Sequence, residues 1–412
     1  VDLGMVATTA ARPSVRPEWI MVAIFSVFTV SNAPAPLYVL WQREMGFSQT
    51  TVSLIFISYI VGAIVSLLLG GRVADRVGHR SVLLPALVLA VVACALFALA
   101  RTPLWLESGR FLIGVASGAF GAAGGAAIAD LCGPEGQTRA ALYASVAPVA
   151  GSAVGPLLAG ALADSVSAPT SLVFVLLAVP LVVVAVPVSR TSGRPDLPPG
   201  GRLMEWPKLP AGTGSVVVMA MAVAGSPFAL AGLFISLGPA MISDLLGNDT
   251  RLLAGAVSFM VFGAGAGSQI LARRMSTYRV ARVGLVISLL AAVLIAVAVG
   301  VESVPVIVAA ALAAGLGQSL AQLAGLQLAR ACAPAGRGAE VTALVWLAGY
   351  GTVGVGILGM GVLADEFGLL AASYVFCTFF FLCVLAALVL VVRRRRTVDR
   401  LTSSMSLTSH NR

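Results

Sequence analysis

Charge is scarce in this chain. Only 10% of its 412 residues are Asp, Glu, Lys or Arg, while 59% are hydrophobic. A soluble domain needs far more polar surface than this, so the expected solvent is a lipid bilayer. Histidine is scarcer still, with His79 and His410 the only two. The five cysteines (Cys94, Cys132, Cys332, Cys377, Cys383) are scattered and form no CxxC pair. These shortages exclude the usual ligand sets for a metal and leave no nucleophile–base pair, so no cofactor and no enzymatic activity are expected. Basic residues outnumber acidic ones by 26 to 17. The excess lies between apolar runs and at the C-terminus, which argues for topology signals and against a nucleic-acid partner.

Long apolar runs are what the chain has in abundance. A helix needs about 20 apolar residues to cross the hydrocarbon core. Such runs fall near 19–40, 51–70, 81–100, 103–129, 140–164 and 169–188. Six more fall near 215–243, 251–271, 281–300, 304–329, 339–364 and 369–392. Cleavage of the first run as a signal peptide would leave an odd number of spans, so it is read as a retained helix. The expected fold is an all-α integral membrane protein of twelve transmembrane helices.

Arginine distribution orients the spans. One set of loops carries Arg139, Arg273, Arg274, Arg279, Arg282, Arg330, Arg337 and the run 393–396, whereas the other carries Arg43, Arg101 and Arg251. Basic residues are retained on the cytoplasmic side, so both termini are expected there, with the protein in the plasma (inner) membrane. The longest connection, 189–214, is rich in Pro, Gly and Arg and reads as a cytoplasmic linker. It separates six-helix bundles at 19–188 and 215–392, flanked by a cytoplasmic tail at 1–18 and a basic tail at 393–412.

The two bundles repeat one another. "LCGPEGQTRA" (131–140) aligns with "ACAPAGRGAE" (331–340), and Gly151 aligns with Gly351. After a one-residue slip, Gly160 and "LAD" (162–164) meet Gly361 and "LAD" (363–365). Pseudo-symmetric bundles of this kind hold a substrate site between them near the midplane in many transporters.

The stretch "GGRVADRVGHR" (70–80) packs charge into what reads as a turn between the second and third spans. Its Gly71-x-x-Ala74-Asp75-Arg76-x-Gly78-His79-Arg80 pattern resembles the signature loop of the major facilitator superfamily. That resemblance implies alternating access between the bundles, with this loop as a gate: Asp75 against the start of the eleventh helix near Ala339, and Arg76 or Arg80 against Asp130. The plainer reading is a solvated turn whose arginines fix topology.

"RFLIG" (110–114) resembles the family's RxxxG element. Arg110 inside the bilayer should face a cavity or a partner, and Glu107 lies three positions earlier on the same face. The pair is the candidate for proton coupling; the alternative places both at the membrane interface. Ile113 stands where the family usually has glutamine. "GSAVGPLLAG" (151–160) resembles an element of drug:proton antiporters, with Gly155 and Pro156 expected to bend the fifth helix and Gly151 and Gly160 to let it pack closely. The first span, with "SNAPAP" (31–36), has no acid, which is the main departure from that group.

Asn32, Gln318, Gln322, Trp346 and Tyr350 are polar or amphipathic groups within spans and are candidates to line the cavity. Helix–helix contacts serve equally well for the glutamines. The expected function is proton-coupled efflux of a small, largely apolar organic compound by a monomer in contact with lipid. Uptake or facilitated diffusion of a neutral metabolite is the alternative, and a non-transporting sensor a remoter one.

Overall fold

The computed structural model describes residues 15–166, 168–191, 214–245, 250–272, 275–333 and 338–396, together with residues 247 and 398. Each apolar run forms a helix. They are α1 (Pro17–Met45), α2 (Gln49–Val77), α3 (Arg80–Ala98), α4 (Pro103–Cys132), α5 (Gln137–Ala163) and α6 (Pro169–Ser189). The second set comprises α7 (Gly214–Ser236), α8 (Arg251–Ala272), α9 (Thr277–Gly300) and α10 (Val304–Cys332). The final helical stretch, Gly338–Arg393, is broken at Gly368, whose φ of 81° ends α11 (338–367) before α12 (369–393) begins. An L-residue with a side chain is strained there, whereas glycine is not. Twelve spans result, as expected, and an even number brings both ends of the bundle to one face. This is called the terminal face below, and the opposite one the far face.

Three starts and stops follow from local chemistry. Proline opens α1, α4 and α6, where a missing N–H costs nothing. Within α1, Pro34 and Pro36 break the ladder: α-helix ends at Asn32, a 3-10 turn covers Ala35–Leu37, and helix resumes at Tyr38. The expected turn at 70–80 is mostly helix. α2 continues through Val77, because no glycine or proline interrupts residues 72–77, and it stops only at Gly78 with φ 85°.

Packing inside each half relies on close backbone approach, as expected where lipid supplies no hydrophobic force between helices. In the first half, α2 and α4 cross at Gly62, Gly114 and Gly118. A Cβ added at Gly114 would collide with the Tyr59 carbonyl, and one at Gly62 with the Phe111 carbonyl. In the second half, Gly315 on α10 lies against the backbone of Val261 on α8 in the same way. Apolar residues such as Val175, Val179, Val182 and Val186 on α6 are exposed and form the lipid-facing side.

The halves meet along two crossings, α5 with α8 and α2 with α11. Residues 192–213 of the expected linker lie outside the described residues, as do the tail segments 1–14 and 399–412.

Candidate substrate cavity between the halves

A cavity of about 250 Å³ lies between the halves, lined by α1, α2 and α5 on one side and α7, α8, α10 and α11 on the other. The five residues expected to line it, Asn32, Gln318, Gln322, Trp346 and Tyr350, are all on its wall. Phe28, Phe56 and Tyr59 face it from the first half, and Phe228 from the second. Among the described residues that line it, none is charged.

The second-half wall is an aromatic surface. Trp346 and Tyr350, four positions apart on α11, stack with centroids 6.0 Å apart at 30°. Phe228 of α7 joins them, 5.6 Å from Tyr350 and edge-on to Trp346. Such offset and edge-to-face arrangements follow the ring quadrupoles. The polar groups are few. Asn32 Nδ2 donates to Ser152 Oγ at 3.2 Å and to the Phe28 carbonyl, tying α1 to α5. Gln322 is 7% exposed, and neither its Nε2 nor its Oε1 has a hydrogen-bond partner among the described residues.

Arg110 stands one layer behind this wall. It is 1% exposed, and its Nη1 donates to the Ser31 carbonyl at the proline break of α1. Its guanidinium lies over three rings, those of Tyr38, Phe56 and Tyr59, at 5.6, 5.2 and 5.1 Å from their centroids. Phe56 and Tyr59 also line the cavity. Ser31 Oγ and Ser117 Oγ are 2.6 Å apart beside this group and complete the α1–α4 contact.

The expected Glu107–Arg110 pair does not form. Glu107 is only half-buried, is not part of the cavity wall, and makes no ion pair with Arg110 among the described residues. Spacing along one helix placed them on a common face, but rings from α1 and α2 and a carbonyl of α1 hold the guanidinium instead.

At the terminal face, Asp130 meets His79, with Oδ2 and Nε2 at 2.8 Å, rather than Arg76 or Arg80. Extending α2 to Val77 and ending it at Gly78 carries His79, the cap of α3, to the end of α4. The surroundings of Gly71, the side chain of Asp75 and the contact expected near Ala339 lie outside the described residues.

The element at 151–160 works through its glycines. A Cβ at Gly151 would collide with the Phe25 carbonyl, one at Gly155 with the Thr29 carbonyl, and one at Gly160 with the Arg251 carbonyl. The first two join α5 to α1; the third joins the two halves. α5 stays a single helix across Pro148 and Pro156.

Two residues passed over as site candidates close the far face. Asp164, just past α5, accepts the backbone N–H groups of Arg251 and Leu252 at the start of α8, at 3.2 and 2.8 Å. Asp365, near the end of α11, accepts those of Gln49 and Thr50 at the start of α2, at 2.8 and 2.9 Å. Each carboxylate meets N–H groups that a helix cannot satisfy within itself. They are the aspartates of the repeated "LAD".

Twelve spans in two related bundles around a cavity between them are the architecture of many secondary transporters. The chain belongs to the Major Facilitator Superfamily, whose family model matches residues 20–357. As a member of that family it is a multi-pass membrane protein of a transporter superfamily. It is 27% identical over 154 residues to a "Multi-drug resistance efflux pump PmrA homolog" of Lactococcus lactis, 36% of this chain and 38% of that protein. It is 32% identical over 75 residues to "Multidrug resistance protein MdtL" of Escherichia coli, 18% of this chain and 19% of that protein. The matches thus span well under half the length of these relatives. Among solved structures, the POT family transporter PepTSo aligns with a TM-score of 0.74 at 13% identity, over 93% of this chain and 98% of that one. The nucleoside transporter NupG aligns with a TM-score of 0.72 at 10% identity, over 91% and 99%. At such identities the likeness is one of fold.

Proposed function

We propose that the protein exports small, largely apolar organic compounds across the plasma membrane by alternating access. The observation that carries this is the cavity wall, which is aromatic and amide-bearing with no charged side chain. A phosphate, a nucleotide or a multiply charged substrate would be desolvated there without a partner. The partial similarity to efflux proteins supports the direction of transport. One chain encloses the cavity, which supports a monomeric transport unit. In this reading the arginine-rich terminal face is cytoplasmic, the far face held by Asp164 and Asp365 is external, and the structure is the inward-facing state. The stretch from Gly71 to Arg80, tied to Asp130 through His79, acts as the cytoplasmic gate.

The proton gradient is the energy source we assign, on the likeness of residues 151–160 to the antiporter element. The absence of a carboxylate among the described lining residues favours a second reading, facilitated diffusion of a small neutral metabolite. Substrate accumulation in proteoliposomes with and without an imposed pH gradient separates the two. Accumulation above equilibrium only with the gradient is expected; mere equilibration in both conditions would favour diffusion, and no flux would remove both.

A further inference from the structure

Most buried polar side chains in this protein have obvious partners. Ser31, Ser117, Ser226, Ser258 and Ser288 bond to backbone carbonyls. Gln322 departs from this pattern. Its amide is over nine-tenths buried, is part of the cavity wall, and has no partner for either its donor or its acceptor among the described residues. Buried amides normally find partners, because burying an unmet one is costly.

We infer that Gln322 is a recognition group for uncharged, flat aromatic compounds that carry a hydrogen-bond donor and acceptor side by side, as in a lactam or another cis secondary amide. This rests on the reading of the cavity as the transport site and narrows its substrate class. A glutamine side chain offers Nε2–H and Oε1 on one edge. A lactam offers N–H and C=O on one edge, so the two close a ring of paired hydrogen bonds that a free hydroxyl or a lone carbonyl cannot. The stacked Trp346–Tyr350 pair with Phe228 supplies a flat apolar surface for the rest of the molecule. Gln318, one helical turn away on the same face of α10, extends the polar line. A volume of about 250 Å³ suits a fused bicyclic compound rather than a large amphiphile. The uncharged wall excludes ionised analogues.

The experiment measures saturable binding of 2-quinolinone and of its N-methyl derivative to the full chain in lipid nanodiscs. The two differ in one donor and little else. The wild-type protein is expected to bind the lactam at least tenfold more tightly, since a site built to pair a donor and acceptor rejects an analogue lacking one. Gln322→Leu should abolish that preference, bringing the two affinities within about twofold of each other, since only apolar contacts then remain. Its melting temperature should hold or rise, because the unmet amide is gone. Equal wild-type affinity for both compounds, or a preference that survives in Gln322→Leu, overturns lactam recognition alone. A fall in melting temperature with the preference intact also overturns it, and makes Gln322 a helix–helix contact. Saturable binding of neither compound overturns the apolar-substrate reading of the cavity, and this inference with it.

Discussion

Asp164 and Asp365 hold matching positions in the two halves, and each carboxylate caps a helix of the other half. Asp164 closes on α8 and Asp365 on α2, so the exchange is reciprocal across the pseudo-twofold axis. Ser48 Oγ adds a third bond at the start of α2, to the Thr51 N–H. The bonds made by Asp164 and Asp365 join the halves and exist only while their far ends are together.

Removing either carboxylate should therefore favour opening of the far face. Loss of a cap is worth about 1 kcal/mol, enough for a several-fold change in population. A cysteine at Ser53, which is buried and bonds to the Ile357 carbonyl in this seam, reports the opening. In the Ser53→Cys background, Asp365→Ala and Asp164→Ala are each expected to speed labelling by an impermeant maleimide several-fold. The double variant should act roughly additively, and unchanged rates would make the caps incidental.

Arg110 should tolerate no substitute, lysine included. An ammonium cannot hold the Ser31 carbonyl and also lie flat against Tyr38, Phe56 and Tyr59. Cation–π terms of about 0.5–2 kcal/mol each set the scale of the loss. Arg110→Lys is expected to lower the melting temperature and to reduce transport at least tenfold. A lysine variant that matches the wild type in both would show that charge alone matters there.

Glu107→Gln should be mild. Because Glu107 is neither on the cavity wall nor paired with Arg110, gradient-driven flux is expected to stay within twofold of wild type. Loss of driven flux with downhill exchange preserved would restore Glu107 as a coupling carboxylate.

Glycine substitutions should divide sharply by position. Gly114→Ala forces a methyl into the Tyr59 carbonyl and is expected to cost about 1–3 kcal/mol or more, as overpacking does. Gly121→Ala meets nothing within 4 Å and should be neutral. Melting temperatures of the two purified variants check this, and equal behaviour would mean that α2 and α4 do not cross as described.

Much of this architecture is legible in the sequence. The spans can be read because a bilayer demands long apolar runs, and polar groups inside them are too costly to be accidental. That is why Asn32, Gln318, Gln322, Trp346 and Tyr350 could be selected and why all five reach one cavity. What the sequence conceals are partners brought together by tertiary contact. The environment of Arg110 comes from α1 and α2, so its own helix suggests Glu107 and misses the rings. "LAD" is visible as a repeat, but nothing local says that each aspartate serves the opposite half. The Gly70–Arg80 stretch resembles a loop because it is charged, yet no glycine or proline interrupts it between Gly71 and Gly78, so the helix runs on.

The α5–α8 crossing has a mechanical consequence. A Cβ at Gly160 would strike the Arg251 carbonyl, and one at Gly255 the Pro156 carbonyl, so each helix of this contact supplies the notch that the other's backbone enters. Interlocked side chains resist a change of angle, since ridges must climb out of grooves before the helices can turn. Two bare backbones offer no such teeth. In the alternating access proposed above they serve as a smooth bearing about which the halves would roll while the cavity between them changes shape.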